Sequence, residues 1–197
     1  MTNTEKRKAK TKVLVLGAVL TALVIILQFM GAFIRFGPFS ISLVLIPIVI
    51  GAATCGVKIG AWLGFVFGMV VLFSGDAAAF MSISPIGTVI TVLAKGTLSG
   101  LIAGIVYKAL EKFNSYLAVI VSAIVCPLVN TGVFLLGCLV FFFDAIAQWG
   151  IDAGFDSTVA YMFLGLVGGN FLFELASNVV LSPVITTVLT FEKKRIN

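Results

Sequence analysis

The chain has 197 residues, 60% of them hydrophobic and only 11% charged, with a formal net charge of +5 and a mean hydropathy of +1.20. Soluble domains carry about a quarter charged residues, so this composition excludes a soluble fold and describes an all-α integral membrane protein of one domain, 1–197. With no histidine in the chain, imidazole triads, histidine metal sites and imidazole proton relays are excluded as well.

Apolar runs between charged gaps predict six transmembrane helices. Lys6, Arg7, Lys8, Lys10 and Lys12 precede the first, 12–34, which is too long for a signal-peptide core and is read as retained in the mature protein. RFGPFS (35–40) then turns the chain at Gly37-Pro38. The second span, 41–55, contains Pro47, which predicts a kink or a broken helix. Lys58 marks the next gap, and the third span covers 59–73. SGDAAAFMSISP (74–85) reads as a long outer loop, followed by a fourth span at 86–107 and the basic gap KALEK (108–112). The fifth span, 116–143, leads to DAIAQWGIDAGFDST (144–158), a loop holding three of the four aspartates, and the sixth covers 159–190.

The charges are sorted by side. Eleven of the thirteen basic residues fall at the termini or in the 55–58 and 108–112 gaps, so the positive-inside rule places both termini in the cytoplasm. The exceptions are Arg35 and Lys95. No basic run is interleaved with aromatics, which sets nucleic acid aside as a partner. Gly60, Gly64 and Gly68 repeat every fourth residue, as do Gly96, Gly100 and Gly104, a spacing suited to close helix packing in lipid. Cys55, Cys126 and Cys138 form no CxxC and read as small buried apolar residues, so no metal or redox cofactor is suggested.

Polar residues inside the spans carry the functional signal. Asn170, Glu174 and Asn178 follow one another at four-residue intervals and share a helix face. A carboxylate at the centre of a membrane helix costs roughly 2.5–3.5 kcal/mol on insertion scales, so Glu174 needs a partner or a cavity. Lys95 and Asn130 lie near the midpoints of the fourth and fifth spans, at a depth similar to Glu174. Two readings stay open: a structural Lys95–Glu174 ion pair, and a ligand site on the last three helices. Catalysis is disfavoured, because neither Ser177 nor Ser182 has a base beside it. No GxxxxGK[ST] pattern occurs and no inverted repeat is evident, so a solute binder with this sequence would borrow its energy.

Taken together, AVLTA (18–22), SISLVLIPIVIGAATCGVKIGAWLGFVFG (40–68), AKGTLSGLIAGIVYKAL (94–110), PLVNTGVFLL (127–136) and NFLFELASNVVLSP (170–183) resemble the substrate-binding S components of energy-coupling-factor (ECF) vitamin transporters over nearly the whole chain. The resemblance implies six helices, no enzymatic activity and a vitamin pocket in the outward half, built by the last three helices and closed by outer loops. It implies two kinds of partner in a bacterial plasma membrane: a transmembrane coupling subunit and a pair of ATP-binding-cassette ATPases. The S component would carry its ligand inward by toppling. Residue by residue, it assigns Lys95, Asn130, Asn170 and Glu174 to the pocket, with Arg35, Phe36 and Phe39 of the first outer loop and Asp76 and Phe80 of the next as lid candidates. Ala18 and Ala22 form the AxxxA face that docks on the coupling subunit, while Asn178 packs helices. A basic residue at mid-membrane and the second-helix pattern favour pantothenate. Glu174 favours a neutral, hydroxyl-rich ligand such as a pyridoxine or a pyrimidine precursor, and an ion-coupled carrier acting alone is the remaining alternative.

Overall fold

A computed structural model describes residues 3–33, 35–36, 39–40, 43–183 and 185–187, with backbone alone at a few positions that include 32, 33, 35, 36, 39 and 40. The order is α1 (Asn3–Phe33), β1 (Arg35–Phe36), β2 (Phe39–Ser40), α2 (Leu45–Cys55), α3 (Val57–Ser74), α4 (Ala78–Ile83), α5 (Pro85–Leu110), α6 (Ser115–Phe141), α7 (Phe143–Asp152), α8 (Thr158–Ala160) continued by a π-helical turn (Tyr161–Leu166), and α9 (Gly168–Val180). The two short strands pair antiparallel, with Phe36 opposite Phe39.

Among the described residues, four helices are long and apolar enough to cross a membrane: Lys10–Gly31 within α1, α3, α5 and α6. A fifth crossing is available if Thr158–Leu166 and Gly168–Thr187, bent by 42° at their junction, form one broken span. The predicted second span is shorter than expected. α2 has 11 residues, and at about 1.5 Å per residue it reaches only about half of a 30 Å hydrocarbon core. Pro47 does not kink it either. The proline occupies the first turn of α2, where a missing N–H leaves no helical bond unmade. The proline inside a helix is instead Pro127 of α6.

Local chemistry fixes the other boundaries. Gly75 at φ 84° ends α3 in a left-handed cap, and Gly56 at φ 92° separates α2 from α3, conformations that side chains resist. The Ser84 hydroxyl accepts from the Gly87 N–H at 3.2 Å and Pro85 opens α5 at N1. Asn114 Oδ1 accepts from the N–H groups of Tyr116 and Leu117 at 2.9 and 3.1 Å, which starts α6.

Two segments read as loops contain helices. Residues 78–83 form α4 and residues 143–152 form α7. Both are too short for a span and are held by aromatic contact: the Phe80 ring meets Phe134, Phe142 and Trp149 edge-on at 5.4, 5.0 and 5.5 Å. Asp144, Asp152 and Asp156 are exposed, as solvated surface residues should be.

α3 and α5 make the most extensive packing in the fold. Their glycines interlock: a Cβ on Gly60 would lie 2.7 Å from the Gly100 carbonyl oxygen, one on Gly64 would meet the Gly96 carbonyl, and one on Gly68 would lie 2.9 Å from the Val92 oxygen. Backbone therefore touches backbone along three turns. This close approach recruits dispersion where lipid supplies no hydrophobic drive between helices.

Candidate ligand cavity

The bend in the last span has a local cause. The π-helical turn 161–166 widens the helix, and Gly168 lets its backbone pass the Phe163 carbonyl, where a Cβ would come within 2.7 Å. This bend brings Leu166, Val167 and Asn170 to the wall of a cavity. α5 contributes Thr88, Thr91, Val92 and Lys95, α6 contributes Asn130, Thr131 and Phe134, and α9 contributes Asn170 and Glu174. The α3–α4 connection adds Asp76 and Ala77, α4 adds Phe80, and α1 adds Gln28. The cavity measures about 160 Å³, and Asp76, Ala77, Phe80 and Phe142 line it from the segments 74–85 and 142–158 that connect the helices.

Six residues singled out in the sequence thus surround one space: Lys95, Asn130, Asn170, Glu174, Asp76 and Phe80. Ala18 and Ala22 lie elsewhere, exposed on α1. The side chains of Arg35, Phe36 and Phe39 lie outside the described residues. Asn178 is buried away from the cavity, and its Nδ2 donates to the Glu174 backbone oxygen at 2.8 Å. Gln28, Thr88, Thr91 and Thr131 were not anticipated. Gln28 carried a signal, a lone glutamine in an apolar run, but it lies near the end of α1 rather than at the middle.

The polar groups of the cavity are incompletely satisfied. Asn170 Nδ2 donates to Glu174 Oε1 at 3.2 Å, and Gln28 Nε2 donates to Asp76 Oδ2. Beyond these bonds, Gln28 Oε1, Thr91 Oγ1, Asn130 Oδ1, Asn170 Oδ1 and Glu174 Oε2 are buried with no hydrogen-bond partner among the described residues. Lys95 does not fill the gap at Glu174. Its ammonium lies 5.0 Å from the centroid of Phe134 and 5.8 Å from that of Phe67, a cation–π setting on the cavity wall. The structural ion pair is therefore not made directly. Native interiors leave few buried polar atoms unpaired, and each orphan costs about 1–3 kcal/mol. Five such atoms belong to residues that line one cavity.

The model of the ECF transporter substrate-specific component family matches residues 12–186. The chain belongs to that family. As an ECF S component it is a membrane protein, the substrate-specific subunit of a transporter that works with an ECF module. No individual curated protein gives a significant match. The family match spans all the helices that build the cavity, from Gln28 of α1 to Glu174 of α9.

Proposed function

We propose that this S component binds a water-soluble vitamin or precursor in the cavity between α5, α6 and α9 and presents it to an ATP-driven module for import. The observation that carries this reading is the convergence of Lys95, Asn130, Asn170 and Glu174 on one space with acceptor oxygens left unpaired. Charged groups inside a span face partners, cavities or pathways rather than lipid, and these face a cavity. Asp76 and Phe80 close it from the α3–α4 side, with Arg35, Phe36 and Phe39 as the proposed remainder of the lid. We further propose that both termini lie in the cytoplasm of a bacterial cell, with the short α2 completing a six-segment arrangement, which would put the cavity at the outer side. Lys58, Lys108 and Lys112 support that orientation, since they fall at the opposite end of the bundle.

Pantothenate is the favoured ligand. Its carboxylate suits Lys95, and its two hydroxyls and amide N–H suit the unpaired oxygens. A second reading, a neutral pyridoxine- or pyrimidine-type ligand, is favoured by the carboxyl groups of Asp76 and Glu174 facing the single ammonium of Lys95. Native mass spectrometry on protein purified from cells grown in rich medium tests both. A retained mass equal to a vitamin supports the function and names the ligand. A bare protein mass, followed by no micromolar binding across a vitamin panel, rejects it.

The proposed partners are a transmembrane coupling subunit and two ATP-binding-cassette ATPases, with the S component toppling to release its ligand inward. Support for docking on α1 is its open apolar face: Leu14, Val15 and Val19 are 69%, 59% and 59% exposed, and Ala18 and Ala22 share the surface. Small residues there allow close backbone approach by a partner helix. The pair Ala18→Leu, Ala22→Leu is expected to abolish vitamin uptake by cells while leaving the affinity of the purified subunit within about twofold, since neither side chain reaches the cavity. A matching loss of affinity in binding calorimetry would remove the docking role.

A further inference from the structure

The cavity oxygens differ in what they can offer. An amide side chain can usually turn over and exchange its donor and acceptor ends. Two amides here cannot do so freely. Asn170 gives its Nδ2 to the Glu174 carboxyl, and Gln28 gives its Nε2 to the Asp76 carboxyl. Turning either one would set a carbonyl oxygen against a carboxyl oxygen. When ionised, the carboxyl groups therefore hold Asn170 Oδ1 and Gln28 Oε1 as acceptors, and the ionised Glu174 presents Oε2 as a third. All three oxygens are buried and unpartnered, and Gln28 itself is only 3% exposed.

We infer that Gln28 is a specificity-determining ligand contact, held as an acceptor by Asp76, and that with Asn170 and Glu174 it selects a substrate carrying at least three N–H or O–H donors. The inference rests on the cavity being the vitamin site. It adds a residue of α1 to a pocket otherwise walled by later helices, and it gives Asp76 a second task as the positioning residue of Gln28. Selection by such a site is steep, because a ligand that lacks one donor leaves a buried acceptor unpaired. It also ties the occupied cavity to α1, the helix whose outer face carries Ala18 and Ala22.

The test uses the purified full-length protein in lipid nanodiscs with pantothenate and pyridoxine as probes, each beside its analogue with one hydroxyl replaced by hydrogen. In the unaltered protein one vitamin binds, and at least one of its deoxy analogues binds about tenfold or more weakly. Gln28→Leu is expected to weaken the vitamin by a similar factor and the deoxy analogue hardly at all, so that discrimination collapses. Asp76→Asn is the companion variant should Gln28→Leu accumulate poorly. An asparagine at 76 can accept or donate, which frees the Gln28 amide to turn, and discrimination again falls. Equal weakening of vitamin and analogue, or undiminished discrimination in both variants, overturns the inference while leaving the cavity as the vitamin site. Should neither probe bind, the same comparison is run with the vitamin retained by the purified protein or selected from a vitamin panel, and failure of the unaltered protein to bind any vitamin of that panel overturns both.

Discussion

Glu174→Gln is expected to lower vitamin affinity about 10- to 100-fold and to leave the fold standing. Asn170 Nδ2 donates to Glu174 Oε1, and a glutamine oxygen can accept the same bond. Keeping that bond turns the new Nε2 toward the place of the unpaired Oε2. The cavity then offers a donor where it had offered an acceptor. A ligand N–H facing it loses its acceptor, and a ligand hydroxyl exchanges a bond to an ionised partner, worth about 1.5–3 kcal/mol, for at most a weaker neutral one in which it accepts. Helix packing keeps its volume, so the thermal midpoint in detergent is expected to move by no more than about 2–4 °C. Parallel collapse of affinity and midpoint would show Glu174 to be a purely structural residue.

Lys95→Met sharpens the choice of ligand. Methionine refills the space against Phe67 and Phe134 but removes the one ammonium that the described residues place on the cavity wall. A carboxylate ligand such as pantothenate loses more from this change than from Glu174→Gln. For a neutral hydroxylated ligand such as pyridoxine the order reverses. Titrating both variants with both vitamins therefore reads the charge of the natural ligand from the rank order alone, without knowledge of its pose.

Hydropathy made the long helices legible in the sequence. The predicted 86–107 and 116–143 correspond to α5 and α6, because each crosses lipid as an unbroken apolar run bounded by a cap. Depth arithmetic was equally informative: residues at the middle of different spans must meet if they face inward, and Lys95, Asn130 and Glu174 do so around one cavity. What the sequence hid is short or bent. α4 and α7 owe their form to packing of Phe80 against Phe134, Phe142 and Trp149, a tertiary cause that no local window contains. The bend before Asn170 depends on a π-helical turn, and helical periodicity cannot register it. Gln28 is hard to read from sequence because a neutral amide near a helix end carries neither a charge nor a mid-span position. It comes to line the cavity only in the fold, which sets Asp76, 48 positions away in sequence, beside it.

The glycine seam sets the second large effect. Gly64→Ala is expected to destabilise the protein by about 1–3 kcal/mol or more, since its methyl would fall on the Gly96 carbonyl and no flexible side chain is there to yield. The helices must separate instead. Gly132→Ala is the matched control: a Cβ there meets nothing within 4 Å, so the change should be neutral or stabilising by up to about 1 kcal/mol from helix propensity. Thermal unfolding of the two variants in the same detergent gives the comparison. Equal midpoints would mean that the seam is not tightly closed. The seam also bears on binding, because Gly96 is the neighbour of Lys95 and both α3 and α5 wall the cavity through Phe67, Val71, Thr91 and Lys95. Forcing the helices apart at Gly64 shifts Lys95 relative to Glu174, so affinity should fall along with stability. Gly60 packs on Gly100, more than a turn further from the cavity. Gly60→Ala should therefore destabilise to a similar degree while the protein that remains folded keeps more of its affinity, a gradient that follows from the position of the cavity at one end of the seam.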